Sequence, residues 1–170
     1  SVWEKESFYA PKDIIITGSG FVGLWCAYSL KKKNPELNIA IVERGLIPSG
    51  ASTRNAGFAC FGSITELLED ARTMGTEKML ELVEMRYRGL KRITKIFKES
   101  EIDYCTCGGY DLINAYSPFN KKALKEKMQW LNEQLATVIN KKKVFRFSDD
   151  KIDSLGFANV QHMVENQLEG

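Results

Sequence analysis

The sequence predicts an α/β protein that begins with a strand–helix–strand unit, and three observations support this prediction. An apolar run at residues 14–17 meets a glycine-rich turn, and an apolar helical pattern follows at once. A second apolar run, residues 38–42, ends in the acidic Glu43. A long loop of glycine and small polar residues then covers residues 44–58. This order favours two parallel strands joined by a crossover helix.

The glycine turn reads Gly18-Ser-Gly-Phe-Val-Gly23, which matches the Gly-x-Gly-x-x-Gly pattern of dinucleotide-binding folds. Gly18 permits the tight turn, Gly20 lets the backbone approach a pyrophosphate, and Gly23 lets the helix pack close to the strand. The helix N-terminus favours the negative phosphates. Glu43 can accept hydrogen bonds from ribose hydroxyls. We therefore predict a Rossmann-like unit, and a tight turn beside a surface glutamate is the structural alternative.

Composition bounds the class of protein. The chain has 170 residues, of which 44% are hydrophobic and 27% charged, and its net charge of +2 gives no argument for nucleic acid or an anionic membrane. No apolar run is long enough to span a bilayer, and residues 1–9 lack the apolar region of a signal peptide. We expect a cytoplasmic protein.

Four cysteines and one histidine do not match the spacing of a metal site. Cys105 and Cys107 lie two positions apart and would share one face of a strand, so a redox pair stays open. Buried free thiols in a reducing compartment are the favoured interpretation. No metal is expected.

Helices dominate after the loop. Apolar residues at helical spacing predict helices at residues 63–73 and 76–98. Residues 103–107 and 110–115 predict a β-hairpin around Gly108-Gly109. Ser117 and Pro118 predict the N-cap and first residue of a helix that runs to about residue 137. The remaining predicted elements are a strand at residues 144–147, a brief helix capped by Ser148, and a strand at residues 159–167.

Three segments together resemble the N-terminal part of the D-amino-acid-oxidase-like flavoproteins. They are Gly18-Ser-Gly-Phe-Val-Gly23, Glu43-Arg44 and Gly50-Ala-Ser-Thr-Arg-Asn-Ala-Gly57. The family includes glycine oxidase, sarcosine oxidase, D-amino acid dehydrogenase and γ-glutamylputrescine oxidase. The opening Trp3-Glu-Lys-Glu-Ser7 looks most like the γ-glutamylputrescine oxidase branch. The third segment is the most specific of the three, since many dinucleotide folds share the first.

The resemblance implies that the cofactor is FAD. By motif position, the residues at its pyrophosphate end would be Gly18, Gly20, Phe21, Val22 and Gly23. Glu43 would bind the adenosine ribose, and Arg44 would flank the adenine. The residues along the pyrophosphate, the ribityl chain and the flavin ring would be Ala51, Ser52, Asn55, Ala56, Gly57 and Phe58.

The resemblance also implies a reaction and a division into domains. Family members oxidise a C–N bond of an amine or amino acid by hydride transfer to flavin N5, and the resulting imine hydrolyses. Residues 1–103 would form the N-terminal part of the FAD-binding domain. Residues 104–170 would begin an α+β substrate-binding domain, which leaves both domains and the parallel sheet incomplete. We accordingly expect an N-terminal fragment that is inactive alone, because family members are about twice this long.

No catalytic acid, base or nucleophile can be named from these residues. A lone histidine such as His162 is more often structural than catalytic. Tyr104, Tyr110 and Tyr116 lie in or just after the predicted hairpin, and they are weak candidates for lining a substrate pocket. Sheet packing is the favoured role for them.

Two other functions stay open at this point. The first is an NAD(P)-dependent dehydrogenase, against which the loop at residues 50–57 argues because a nicotinamide enzyme does not need it. The second is a non-catalytic module or fragment without bound flavin. The expected partner is a small-molecule amine or amino acid, with no nucleic acid and no membrane span, and homo-oligomerisation stays open.

Overall fold

The computed structural model describes residues 1–169, and its packing divides the chain into two compact units, Ser1–Gly57 and Phe58–Gly170. A two-stranded sheet lies in the first unit and a three-stranded sheet in the second. The predicted α/β class, with a short parallel sheet followed by helices and an α+β part, is confirmed. The two units are defined by packing, so the functional division at residues 103 and 104 stays a prediction.

The first unit contains the predicted strand–helix–strand arrangement. Its elements are helix α1 (Val2–Glu6), strand β1 (Ile14–Thr17), helix α2 (Phe21–Lys33) and strand β2 (Ile39–Val42). The strands pair in parallel, with Ile14 opposite Ile39 and Thr17 opposite Val42. Helix α1, which the sequence analysis did not predict, begins with a reciprocal capping box between Ser1 and Glu4.

One face of the parallel sheet packs against α2, and the other is open. Ile16 lies on the helix side, where its Cγ2 atom would be 3.3 Å from a Cβ placed on Gly23. Ile15 and Val42 point to the opposite face because strand side chains alternate, and they are 66% and 52% exposed. An almost wholly apolar run such as residues 14–17 is typical of a strand buried on both faces, but in the described residues β1 is covered on one face.

Three helices form most of the core of the second unit. They are α3 (Ile64–Met74), α4 (Thr76–Ile96) and α5 (Lys121–Ile139). Each turns an apolar stripe inward, as the periodicity predicts. The fully buried side chains of these stripes are Ile64, Leu67, Met79, Val83, Leu124, Leu131 and Leu135.

The sheet of the second unit corrects the predicted hairpin. Strand β3 (Gly109–Asn114) pairs antiparallel with β5 (Val160–Asn166), which also pairs with β4 (Phe145–Phe147). Residues 103–107 form no strand, and Asp103 has a φ of 49°, which extended backbone does not adopt. β3 therefore takes a distant partner, β5, in place of the preceding segment.

One predicted helix cap is also wrong, and a second has the predicted position without a capping side chain. Helix α5 begins at Lys121 with Asn120 as its N-cap, and Asn120 Oδ1 accepts a hydrogen bond of 2.9 Å from Ala123 N–H. Ser117 instead accepts from Phe119 N–H in a local turn. Ser148 is the N-cap residue of the 3₁₀ turn Asp149–Lys151, which leads into helix α6 (Ile152–Leu155), as predicted. Its hydroxyl makes no capping hydrogen bond and donates to Glu165 instead.

Glu165 joins the outer strands of this sheet through a charged network. It is 6% exposed, and its carboxylate pairs with Arg146 of β4 and accepts hydrogen bonds from Tyr110 of β3, Ser148 and Lys151. The hydrogen bond from Arg146, together with those from Ser148 and Lys151, lowers the pKa of Glu165 to about 2 against the effect of burial. The network therefore connects β5 to both of its neighbours in the sheet.

Asn132 of α5 holds strand β4, and we expect its replacement by Ala to lower the free energy of unfolding by about 2–4 kcal/mol. Its Oδ1 accepts from Val144 N–H and Phe145 N–H at 2.9 Å each, and its Nδ2 donates to Phe145 C=O at 3.0 Å. The substitution leaves these backbone groups without a partner beside buried side chains. Urea denaturation measures the loss. Gln129→Ala on the exposed side of α5 is the control, and an equal effect of both variants would contradict the prediction.

The four cysteines are free and exposed, so the expectation of buried thiols is wrong. Cys105 and Cys107 precede β3 and share no strand. Within residues 1–169, no helix combines the length and apolarity needed to cross a membrane. The same residues contain no group of three or more potential metal ligands.

Candidate dinucleotide-binding site

The glycine turn between β1 and α2 has the geometry that its residue types predict. Gly18 adopts a φ of 93°, which favours glycine, and its N–H donates to Val42 C=O at 2.7 Å. A Cβ on Gly23 would lie 2.1 Å from Gly18 O, which is well inside van der Waals contact. The predicted role of Gly23 in close helix–strand packing is confirmed.

The N-terminus of α2 is where the two glycine-containing motifs meet. Gly20 is the N-cap residue and supplies no capping side chain. Ser52, from the second motif, takes that place by accepting a hydrogen bond of 2.9 Å from Phe21 N–H. A Cβ on Gly20 would lie 3.0 Å from Ser52 Oγ. The backbone at Gly20 can therefore be approached closely only because this residue has no side chain.

Glu43 follows β2 and reaches back to the glycine turn. Its Oε2 accepts from Ser19 N–H at 3.0 Å and from Ser19 Oγ at 2.8 Å, and its Oε1 accepts from Gly45 N–H at 3.2 Å. These hydrogen bonds, the Ser19 backbone bond first, lower the pKa of Glu43 to about 2. The carboxylate is therefore ionised near neutral pH, as an acceptor for ribose hydroxyls must be.

Replacing Ser19 by Ala is expected to raise the pKa of Glu43 part of the way back toward 4.5. The substitution removes the hydroxyl donor and keeps the backbone donors. These bonds stabilise the ionised form, so their contribution to stability is present above the ordinary pKa and is lost as pH falls through the lowered one. A ¹³C NMR titration of the carboxyl group measures the change. Ser154→Ala in the second unit is the control. An unchanged titration midpoint of Glu43 in Ser19→Ala would show that the Ser19 hydroxyl does not lower the pKa of Glu43.

The loop that carries Ser52 is braced by its own polar side chains. Residues 51–53 form a 3₁₀ turn. Asn55 Nδ2 donates to Ser52 C=O at 3.0 Å, and Asn55 Oδ1 accepts from Gly57 N–H at 2.9 Å. Thr53 Oγ1 donates to Pro48 C=O at 2.9 Å. These bonds hold the loop in one shape and so position the Ser52 hydroxyl over α2.

The structure brings some of the predicted residues together and leaves others apart. Gly18, Gly20, Phe21, Gly23 and Ser52 meet at the start of α2, and Glu43 contacts the same turn through Ser19. The remaining predicted residues of the first unit have exposed side chains or none: Val22, Arg44, Ala51, Asn55, Ala56 and Gly57. Phe58 is exposed at the start of the second unit. The placement of Phe58 along the flavin stays a prediction.

Sequence reasoning did not identify Ser19 as a site residue. Ser19 occupies a variable position of the glycine pattern, so the motif gives it no role. Its hydroxyl nevertheless supplies one of the hydrogen bonds that orient Glu43. The signal that could have identified it is a small hydroxyl residue placed beside the end of the neighbouring parallel strand.

The weak candidates for a substrate pocket have separate positions. Tyr110 lines a cavity of about 410 Å³ in the second unit, and Tyr104 lines a smaller one of about 140 Å³. Tyr116 is 93% exposed. His162 Nδ1 lies 3.1 Å from Asp149 Oδ2, which supports the structural role expected for it.

The residues at the start of α2 fit the dinucleotide part of FAD. Gly20 leaves open the space that a Cβ would fill, and the helix dipole favours an anion at this position. Glu43 offers an ionised carboxylate beside the same turn, at the end of the second strand. This combination of a glycine turn, a helix N-terminus and an acidic residue suits the pyrophosphate and ribose of a dinucleotide.

Comparison with known proteins gives one match to a family and several local ones. A sequence model described as FAD dependent oxidoreductase matches residues 13–153. The thiamine thiazole synthase of Yarrowia lipolytica is 50% identical over 50 residues, which are 29% of this chain and 16% of that protein. The enzyme of Phaeosphaeria nodorum is 48% identical over 44 residues, or 26% and 13% of the two chains. The chloroplastic enzyme of Citrus sinensis is 46% identical over 44 residues, or 26% and 12%.

Proposed function

We propose, for a chain that belongs to the FAD-dependent oxidoreductase family, that its first unit binds FAD and that the protein oxidises the C–N bond of an amine or amino acid. Bound FAD would supply, at flavin N5, the acceptor for the hydride of the carbon that bears nitrogen. The resulting imine hydrolyses to a carbonyl compound and an amine or ammonia. Oxygen or an electron-transfer partner then takes up the two electrons.

The observation that carries the FAD proposal is the hydrogen bond from Phe21 N–H to Ser52 Oγ. It places the loop at residues 50–57 against the helix N-terminus that would receive the pyrophosphate. A nicotinamide-binding domain needs the glycine turn and the acidic residue but has no need for this second loop. The loop is the part of the chain in which a longer, flavin-bearing ligand would find additional polar contacts.

The roles of the chain's own residues follow from this placement. Gly18 and Gly20 form the backbone cradle, and the N-terminus of α2 faces the phosphates. Glu43 accepts from the adenosine ribose, and Arg44 flanks the adenine. Asn55, Ala56, Gly57 and Phe58 are proposed along the ribityl chain and ring. FAD supplies the hydride acceptor when it is bound, and the protein orients the substrate and excludes water.

The thiazole synthase matches from Yarrowia lipolytica and Phaeosphaeria nodorum cover 16% and 13% of those proteins, so the chain spans a small part of their length. Thiazole synthesis is therefore a second candidate, supported by the names of these relatives alone. Amine or amino acid oxidation is preferred because Gly50-Ala-Ser-Thr-Arg-Asn-Ala-Gly57 resembles the amine-oxidising group.

Titration of the full chain with FAD tests the cofactor. We expect quenching of flavin fluorescence with a single saturable site, and competition by ADP, which shares the pyrophosphate and ribose. NADPH that binds more tightly than FAD would favour the dehydrogenase alternative. Unchanged flavin fluorescence together with no binding of ADP would favour a module without bound flavin.

Anaerobic mixing of the FAD complex with amines and amino acids tests the reaction. We expect bleaching of the ~450 nm band of oxidised flavin by a member of one of these substrate classes. If C–N oxidation causes the bleaching, hydrolysis of the imine releases a carbonyl product. Hydrazine reagents detect this product. FAD binding without reduction by any of these compounds would retain the cofactor and reject the proposed reaction.

A further inference from the structure

The second unit contains a cavity that shares the lining residue Phe58 with the proposed FAD site. Its volume is about 410 Å³, which lies within the range of about 300–1,000 Å³ typical of small-molecule sites. Apolar and aromatic side chains line much of it, among them Ile64, Tyr110, Phe145 and Val164. All of the lining residues belong to the second unit. The cavity is thus large enough for a short organic molecule and is formed by one unit.

Three carboxylates line this otherwise apolar cavity. They belong to Glu66 of α3, Asp111 of β3 and Glu169, which follows β5. Among residues 1–169, those that line the cavity include no lysine or arginine. Arg86 neutralises Glu66 from outside the lining, at 2.9 Å between Nη1 and Oε1. Asp111 and Glu169 retain an excess of negative charge.

One carboxylate oxygen of Glu169 accepts hydrogen bonds from the backbone, and the other lies beside the cavity. The side chain is buried, with 6% of the residue exposed. Its Oε1 accepts from Phe61 N–H at 2.9 Å and from Gly62 N–H at 3.1 Å, and these are the donors to its carboxylate from within residues 1–169. Its Oε2 lies beside Gly109, a lining residue on which a Cβ would be 2.3 Å from that oxygen.

The electrostatics of this arrangement favour a positive ligand. Burial raises the pKa of Glu169, the two backbone donors oppose that effect, and the nearby carboxylates of Asp111 and Glu66 raise it further. Asp111 itself is anchored by Thr65 N–H and Thr65 Oγ, both of which donate to its Oδ2. Carboxylates that line one cavity repel one another, and a cation bound in that cavity reduces the repulsion.

We infer that the cavity lined by Asp111, Glu169 and Tyr110 binds the ammonium end of a small alkylamine that carries no carboxylate. The ammonium donates to Asp111 and to Glu169 Oε2, and the alkyl chain lies against the apolar lining. An amino acid would bring its carboxylate to a lining that contains three carboxylates and no lysine or arginine, so we expect it to bind more weakly than the alkylamine. That this alkylamine is a substrate rests on the proposed function, whereas its binding to the cavity does not.

Titration of the full chain, without flavin, with n-butylammonium, n-butanol and butanoate tests the site. Isothermal calorimetry gives the affinities, and ¹H–¹⁵N NMR shifts of Gly108, Gly109 and Tyr110 locate the ligand. We expect n-butylammonium to bind at least about tenfold more tightly than n-butanol, the effect of one charge-assisted hydrogen bond. Butanoate is expected not to bind.

Three variants separate the carboxylates from general surface charge. Asp111→Asn and Glu169→Gln keep a carbonyl oxygen for the existing backbone donors. Each is expected to weaken the binding of n-butylammonium at least about tenfold without changing the binding of n-butanol. Glu81→Gln on the exposed side of α4 is the control and should change neither of the two affinities. Equal binding of n-butylammonium and n-butanol, or equal effects of Asp111→Asn and Glu81→Gln, would overturn the inference. Because the titration contains no flavin, its failure leaves the FAD proposal intact.

Discussion

Gly20→Val is expected to lower the affinity of the chain for FAD by at least about a hundredfold, which corresponds to about 2.7 kcal/mol. A single Cβ on this residue would already lie 3.0 Å from Ser52 Oγ. The two γ-carbons of valine extend into the space beyond it, which is the proposed path of the pyrophosphate. They also press on the hydroxyl that accepts from Phe21 N–H. Fluorescence titration with FAD, alongside the same titration with ADP, measures the loss.

Two comparisons separate a steric block from a general loss of folding. Gly89→Val places the same side chain on the exposed surface of α4, where a Cβ would meet no atom within 4 Å. It should leave FAD binding unchanged. Circular dichroism should show that Gly20→Val retains its helix content. A folded Gly20→Val chain that binds FAD as tightly as the unsubstituted chain would remove Gly20 from the phosphate site.

Local signals predicted the parts of the molecule that are determined locally. The apolar run before Gly18 predicted β1, and the spacing of Met79, Val83 and Leu90 predicted the buried face of α4. Each of these patterns is complete within one element, so tertiary packing had little to override. The glycine turn was predictable for the same reason, since Gly23 must be small to lie against Gly18.

The parts that sequence reasoning missed depend on contacts between distant residues. Gly108-Gly109 resembles the turn of a hairpin, but Tyr110 pairs with Glu165 in a strand far along the chain. Glu169 accepts from Phe61 N–H across more than a hundred residues, and no local pattern marks that bond. Long-range pairing is selected by the packing of whole elements, so propensity and spacing cannot specify it.

Asn132 illustrates the same limit at a single residue. Asparagine has a low helix propensity, and within a helix it is expected on the solvated face. Here it supplies both acceptor and donor to the backbone at Val144 and Phe145 and so orders the edge strand β4. The cavity carboxylates belong to the same class, because α3, β3 and the segment after β5 bring them together.

Gly23→Ala is expected to destabilise the first unit by about 3 kcal/mol, at the upper end of typical overpacking costs. The added Cβ would lie 2.1 Å from Gly18 O and 3.3 Å from Ile16 Cγ2. No side-chain rotation relieves the first contact, because its partner is a backbone oxygen in the turn that joins β1 to α2. Relief requires α2 to move away from β1, which exposes the apolar surface between them.

The matched control for Gly23→Ala is Gly89→Ala, which makes the same chemical change within a helix that has open space around the added methyl group. There, alanine should stabilise α4 by about 1 kcal/mol through its higher helix propensity. Hydrogen exchange of the β1 and α2 amides, compared with that of the α4 amides, measures both effects in one experiment. Effects of the same sign at the two positions would show that helix propensity governs both, and the close helix–strand contact at Gly23 would then not limit the stability of the first unit.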